Sequence, residues 1–287
     1  MKPETGGVEN TSGTRSSELF VRVRTGAVLT VIGIIVLCLS HIHYVLNTAA
    51  AAFSIFGIYE LLRAVRANTV GRMLVLFLLS IMICFLEIPY YPVMLSIVWC
   101  VAVIVFFILM KRVGTYRFAS FASIVPCALM LPLFFRSFVE IRLSEQGLYY
   151  LILVILGCMI NDVTAYFVGK AFGTRKLAPA ISPGKTVEGG MGGLLLSTLL
   201  LVILSAVFSH CTGITIRYGL LLLYLILASL VGQFGDLSMS VIKRSVGIKD
   251  FGKLLPGHGG ILDRFDSLLF VAPFAVIYRS ITNGFFI

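Results

Sequence analysis

The sequence predicts an all-α, polytopic integral membrane protein of about nine transmembrane helices, with its N-terminus cytoplasmic and its C-terminus outside. Three observations carry this. The 287 residues are 59% hydrophobic and only 13% charged, with a mean hydropathy of +1.01, whereas soluble domains carry about 25% charged residues. The apolar residues come in continuous runs and do not alternate, which suits helices and not barrel strands. Lys and Arg fall unevenly on successive connections: 19 of the 23 lie on the side shared with the N-terminus, and only Arg136, Arg142, Arg217 and Arg279 on the other. A wrong number of spans would scramble that alternation, so the positive-inside rule supports both the count and the orientation. The formal net charge of +10 then reports anchoring against anionic lipid, and no nucleic acid is expected as a partner.

Residues 1–26 are polar, rich in Gly, Ser, Thr and Glu, and are expected to be disordered or to lie along the membrane surface. No cleavable signal peptide is expected, because this polar tail precedes the first apolar run. The apolar segments are 27–40, 48–62, 73–85, 94–110, 118–135, 149–169, 190–208, 218–240 and 267–281. A straight span needs roughly 20 apolar residues, so the second and third are short and read as tilted or re-entrant. Residues 27–140 form a set of N-terminal membrane helices without a motif, and 141–287 form the region that carries chemistry. Glu60 is a lone acid in the second run, where a structural role outweighs a functional one. The six cysteines show no C-x-x-C pair and read as small buried hydrophobes.

The chemistry concentrates between Ser240 and Asp266, S-V-I-K-R-S-V-G-I-K-D-F-G-K-L-L-P-G-H-G-G-I-L-D-R-F-D. These 27 residues gather Lys243, Arg244, Lys249, Lys253 and Arg264 with Asp250, Asp263, Asp266 and His258, and add five glycines and a proline. Phosphates need cationic partners, hard metal ions need carboxylate oxygens, and a backbone closing on phosphate needs glycine for its tight turns. A solvated basic loop on the cytoplasmic side would explain the cations alone, not the carboxylates or the G-H-G-G turn. Just upstream, Asp236, Ser240 and Lys243 stand at i, i+4 and i+7, on one face of the eighth helix as it leaves the membrane. Asp263, Asp266 and Ser267 share a face at the head of the last helix.

A second block lies on the same side. Asp162 sits deep in the sixth apolar run, where an ionised group costs about 2.5 to 3.5 kcal/mol on insertion scales and is usually turned into the bundle. The loop I-S-P-G-K-T-V-E-G follows at 181–189. Its G-K-T is not a Walker A motif, because Pro179 occupies the position of the first glycine and no strand precedes it. It offers Ser182, Lys185, Thr186 and Glu188 at the head of a helix, where free N–H groups suit an anion. Gly189, Gly190, Gly192 and Gly193 would let that helix pack closely on a neighbour.

The order Ser240, Lys243-Arg244, Lys249-Asp250, Gly252, Leu255-Pro256, His258-Gly259-Gly260, Asp263-Arg264, Asp266 resembles the signature of the phosphatidate cytidylyltransferase (CDP-diacylglycerol synthase) family, without a departure. The block from Asp162 to Gly189 is similar to the same family, with Gly184 where a basic residue is common and Val187 where an aromatic is common. The resemblance covers 162–266, and the first 140 residues carry nothing that adds to it. It implies transfer of the cytidylyl group of CTP to phosphatidate in a cell (inner) membrane, with the active site at the cytoplasmic face. It implies Mg²⁺ as cofactor and CTP, phosphatidate and bilayer lipid as partners; a homodimer is left open.

On this reading Asp236 and Asp263 are expected to ligate the metal with Asp162 assisting. Lys243, Arg244, Lys249, Asp250, Arg264 and Asp266 join them as catalytic residues. His258 is expected to orient phosphate or the turn. Asp162, Ser182, Lys185, Thr186, Glu188, Ser240, Gly259 and Gly260 are expected to bind substrate. The attacking phosphate oxygen is already ionised near neutral pH, so no general base is required. Two alternatives stand beside this: a CTP-dependent enzyme with another lipid acceptor, and a transporter of an anionic solute. Transporters usually show matched broken helices in both halves, and here the polar residues fall in the second half and on one side.

Overall fold

The computed structural model describes residues 11–42, 44–88, 90–111 and 121–286. Among the described residues each of the nine apolar segments falls on a helix, the fifth from Phe121 onward: α1 (Thr11–Cys38), α2 (Val45–Ala64), α3 (Val70–Phe85), α4 (Tyr91–Lys111), α5 (Phe121–Arg142), α6 (Gly147–Phe172), α7 (Val187–Thr212), α8 (Tyr218–Ser245) and, after the short α9 (Leu262–Phe265), α10 (Leu268–Thr282). Among the described residues, six helices are long and apolar enough to cross a membrane. They lie in α1, α2, α4, α6, α7 and α8, while α3 and α10 are shorter. The second segment is thus not short: α2 runs 20 residues. The first ten residues of the polar tail, and Arg112 and Arg117, fall outside the described residues.

Two expectations need correcting. The polar tail is helical from Thr11 onward, continuous with the first apolar run. The connection before α7, expected as a loop, is a small antiparallel hairpin of β1 (Lys176–Ala178) and β2 (Ser182–Thr186), pairing Lys176 with Thr186 and Ala178 with Ser182, in a chain that is otherwise mostly helical, as expected of an all-α membrane protein. The cysteines divide as well. Cys84 and Cys158 are buried, while Cys38, Cys100 and Cys211 lie on the outer face of the bundle.

Small residues set the closest helix contact. A Cβ on Gly193 would stand 2.8 Å from that of Ala165, and one on Gly189 would stand 3.0 Å from Gly169 Cα, so α7 lies directly on α6. Gly190 faces α8 instead, where Gln233 Nε2 donates to its carbonyl at 3.1 Å. Aromatic packing fixes α9 and α10. Phe265 is wedged among Phe53, Phe135 and Phe138, with ring centroids 4.9 to 6.3 Å away, which ties the signature stretch to α2 and α5. At the far end Arg217 Nη2 donates to Gly284 O at 2.6 Å and Phe285 N–H to Tyr150 Oη at 3.1 Å, closing the C-terminus onto α6 and α8.

Candidate active site

At the end of the bundle where α2, α6 and α8 finish and α10 begins, the hairpin and the 246–261 loop lie together. The hairpin is held at its base. Thr186, the N-cap of α7, accepts the Gly189 N–H at 3.2 Å, and Glu188 accepts from Thr174 Oγ1 at 2.6 Å and from the N–H groups of Thr174 and Arg175 at 3.1 Å. Both side chains expected to bind substrate are therefore spent on the hairpin. Ser182 opens β2 and is half-buried.

From this base Lys185 reaches α8 and pairs with the Asp236 carboxylate, both side chains keeping partial exposure. The Arg244 guanidinium donates to Ile181 O and Ile248 O, each at 3.1 Å. It clamps the hairpin to the end of α8 while the residue stays exposed.

Lys243 lies 8% exposed and donates to Asp263 Oδ1 at 2.8 Å. Asp263 Oδ2 accepts the Phe251 N–H at 2.8 Å and the Gly260 N–H at 3.0 Å. Three bonds thus commit a carboxylate that was expected to ligate metal. Gly257 and Gly259 take left-handed φ of 76° and 85°, and Leu255 N–H donates to Gly259 O at 3.0 Å, so the G-H-G-G turn needs its glycines for its own closure. Gly259 and Gly260 are structural in this arrangement. His258 is half-buried with an Nδ1 that finds no partner among the described residues.

A second carboxylate, Asp266, lies near Asp236. A Cβ on Gly235 would stand 2.9 Å from Asp266 O, so the α8 backbone touches the chain at Asp266, one residue from Asp236. Asp266 Oδ1 accepts the Ser267 N–H at 2.8 Å. Burial pushes the Asp266 carboxyl up, to about 7; the neighbouring Asp236 and Asp162 charges act in the same sense, and Lys243 opposes them. Asp162 on α6 lies within electrostatic reach of Asp236, Lys185 and Arg264. Lys249, Asp250 and Arg264 are exposed, and Ser240 is buried. Neither Lys249 nor Arg264 makes a hydrogen bond or an ion pair among the described residues.

Among the described residues, no three His, Cys, Asp or Glu side chains converge into a metal-binding group. The expected trio Asp162, Asp236 and Asp263 is thus not preassembled, because Asp263 is turned to Lys243 and the loop backbone. Asp236 and Asp266 nevertheless fit a hard divalent ion. Mg²⁺ is usually held by one or two carboxylates, with water and phosphate oxygens completing its shell. The Lys185 ammonium already stands where Asp236 receives a cation. Sequence reasoning did not find the partner of Glu60. This residue of α2 accepts the backbone N–H groups of Ile261 and Leu262, each at 3.0 Å. The available signal was an acid near the C-terminal end of an apolar run.

Cations and carboxylates gathered at one end of a membrane bundle suit a transferase that handles phosphate esters. The sequence profile of the Cytidylyltransferase family matches residues 20–282, and the chain belongs to that family. Among the relatives it resembles is the "Phosphatidate cytidylyltransferase" of Bacillus subtilis (strain 168), 44% identical over 162 residues, which cover 56% of this chain and 59% of the relative. The proteins of the same name from Staphylococcus saprophyticus and Staphylococcus aureus (strain COL) are 46% identical over 129 residues and 44% over 139, covering 48% and 51% of their lengths. The chain thus spans about half the length of the curated relatives it matches.

Proposed function

We propose that this chain transfers the cytidylyl group of CTP to phosphatidate, giving CDP-diacylglycerol and pyrophosphate for phospholipid synthesis. The observation that carries the reading is the set Asp162, Asp236, Asp266 and Lys185, drawn from three helical regions and a hairpin to one end of an apolar bundle. That end would be cytoplasmic, with nine spans, the N-terminus inside and the C-terminus outside, in the cell membrane where CTP and lipid meet.

In the reaction a phosphate oxygen of phosphatidate attacks the α-phosphorus of CTP. A new P–O–P linkage forms, the bond from the α-phosphorus to the β-phosphate bridging oxygen breaks, and pyrophosphate leaves with the electron pair. The step asks for alignment and charge neutralisation, not for a base. Asp236 and Asp266 would hold Mg²⁺, which supplies Lewis-acid neutralisation of phosphate charge. Lys249 and Arg264, exposed and uncommitted among the described residues, would meet phosphate oxygens, and Lys185 would do so once it leaves Asp236. His258 offers a ring nitrogen to a phosphate or to the turn. Lys243, Arg244 and Asp263 hold this constellation in place.

The test is product formation by the purified protein from labelled CTP, phosphatidate and Mg²⁺, with other triphosphates and polyprenyl phosphate as controls. CTP- and phosphatidate-dependent product is expected. Turnover of another lipid acceptor in place of phosphatidate would overturn the assignment.

A further inference from the structure

Glu60 belongs to the half of the chain that carries no motif, yet its carboxylate sits inside the signature stretch. It is 1% exposed and accepts one bond on each oxygen, from Ile261 N–H to Oε1 and from Leu262 N–H to Oε2, both at 3.0 Å. Two glycines of the stretch shape the cradle. A Cβ on Gly252 would stand 2.5 Å from Glu60 Oε1, and one on Gly260 would stand 2.5 Å from Oε2. One turn earlier on the same face of α2, Gly57 leaves room for Leu262, whose Cδ2 would be 3.0 Å from an added Cβ. An acid in an apolar helix would normally be turned away from lipid toward a partner. Here that partner is the backbone of the loop that ends in Asp263, Arg264 and Asp266.

We propose that Glu60 is a positioning residue for the transfer reaction: bidentate acceptance of the Ile261 and Leu262 N–H groups fixes the loop that sets Asp266 beside Asp236. The inference rests on the function proposed above. Glu60 touches no substrate in this role. It acts through Gly260, whose N–H bonds Asp263, and through the start of α9. The two glycines follow from the same fact, since any larger residue at 252 or 260 would drive the carboxylate out.

Glu60→Gln keeps the volume but offers one acceptor where the carboxylate offers two, so one N–H faces an NH₂ donor. Turnover of CTP and phosphatidate is expected to fall about tenfold or more, mostly in kcat, with each apparent KM within about twofold of wild type. Amide hydrogen exchange should speed up across 258–263 and stay unchanged in the 174–190 hairpin. Gly252→Ala should reproduce both effects, and should add nothing in Glu60→Ala/Gly252→Ala, where the colliding oxygen is gone. Wild-type turnover and exchange in Glu60→Gln would overturn the proposal, as would faster exchange throughout the protein, which marks a general packing role. Should Glu60→Gln fail to accumulate, Gly252→Ala alone and in the double variant decides by the same readouts. If the wild-type protein makes no product, the function reading fails, and the exchange pattern still decides whether Glu60 orders the loop.

Discussion

Asp263 separates two kinds of carboxylate, because the structure gives it a task other than the metal ligation expected of it. The perturbation is Asp263→Asn. The native carboxylate accepts the Lys243 ammonium at 2.8 Å and the Phe251 and Gly260 N–H groups at 2.8 and 3.0 Å, with both members of the ion pair under 10% exposed. An asparagine can keep the two N–H bonds through its oxygen, but it turns an NH₂ on the ammonium and leaves a buried cation unpaired. Removing one side of such a pair costs about 3 to 5 kcal/mol, a large part of the roughly 5 to 15 kcal/mol that holds a typical domain folded. Lys243→Met strips the other side at a similar cost. The double variant carries neither charge, and replacing a buried pair by uncharged groups is often close to neutral. Equilibrium denaturation in detergent without divalent ions, run on all four proteins, should therefore give a coupling of about 2 kcal/mol or more. A coupling near zero, with Asp263→Asn as stable as wild type yet inactive, would refute the structural role and return Asp263 to the metal.

Three other outcomes follow from the same geometry. Asp236→Asn should leave the protein inserted and monodisperse but cut product formation by about 100-fold or more, the loss of a principal electrostatic contact at the transferring phosphorus; near-normal turnover would remove Asp236 from the site. Lys185→Ala should raise the apparent KM for CTP about tenfold and change that for phosphatidate far less, as one charge-assisted phosphate contact is lost; an effect confined to the lipid would place the hairpin at the headgroup instead. The last concerns Asp266, whose carboxyl is pushed up to about 7 in the folded chain but titrates near 4 when unfolded. The folded state holds the proton more tightly, so the stability this adds is complete below about pH 4 and is lost as the pH rises through about 7. Melting temperature without divalent ions should fall between about pH 4 and 7 more steeply in wild type than in Asp266→Asn, and parallel curves would contradict the assignment.

The helices were legible because lipid demands continuous apolar runs, and each of the nine segments falls on one. The close approach of α7 to α6 was legible too, since Gly189, Gly192 and Gly193 can mean little else in such a helix. What spacing shows is which face of an element a side chain occupies. It does not show what lies across from that face. Asp236 and Lys243 share a face of α8 as expected, yet their partners, Lys185 and Asp263, come from a hairpin 51 residues upstream and a short helix 20 downstream. Glu60 meets Ile261 across 201 residues, with no periodicity to announce it. The hairpin was missed for a different reason: strands of three and five residues, one of them S-P-G-K-T, carry no alternation to read.

The polar residues of the signature therefore do two jobs that the motif cannot distinguish. Lys243 and Asp263 neutralise each other in a buried pair, and Arg244, Thr186 and Glu188 close backbone gaps; these groups set the shape. Asp236, Asp266, Asp162 and Lys185 remain with more negative than positive charge, which in a low-dielectric setting favours a cation arriving from outside. Lys185 now partly fills that need at Asp236. Its ammonium cannot at once neutralise Asp236 and grip a triphosphate, so under the proposed function binding of CTP with a divalent ion would exchange partners, Asp236 turning to the ion and Lys185 to phosphate. Until then the Lys185 pair keeps the Asp236 carboxylate compensated, which is what an acid cluster at the end of an apolar bundle requires to stay folded.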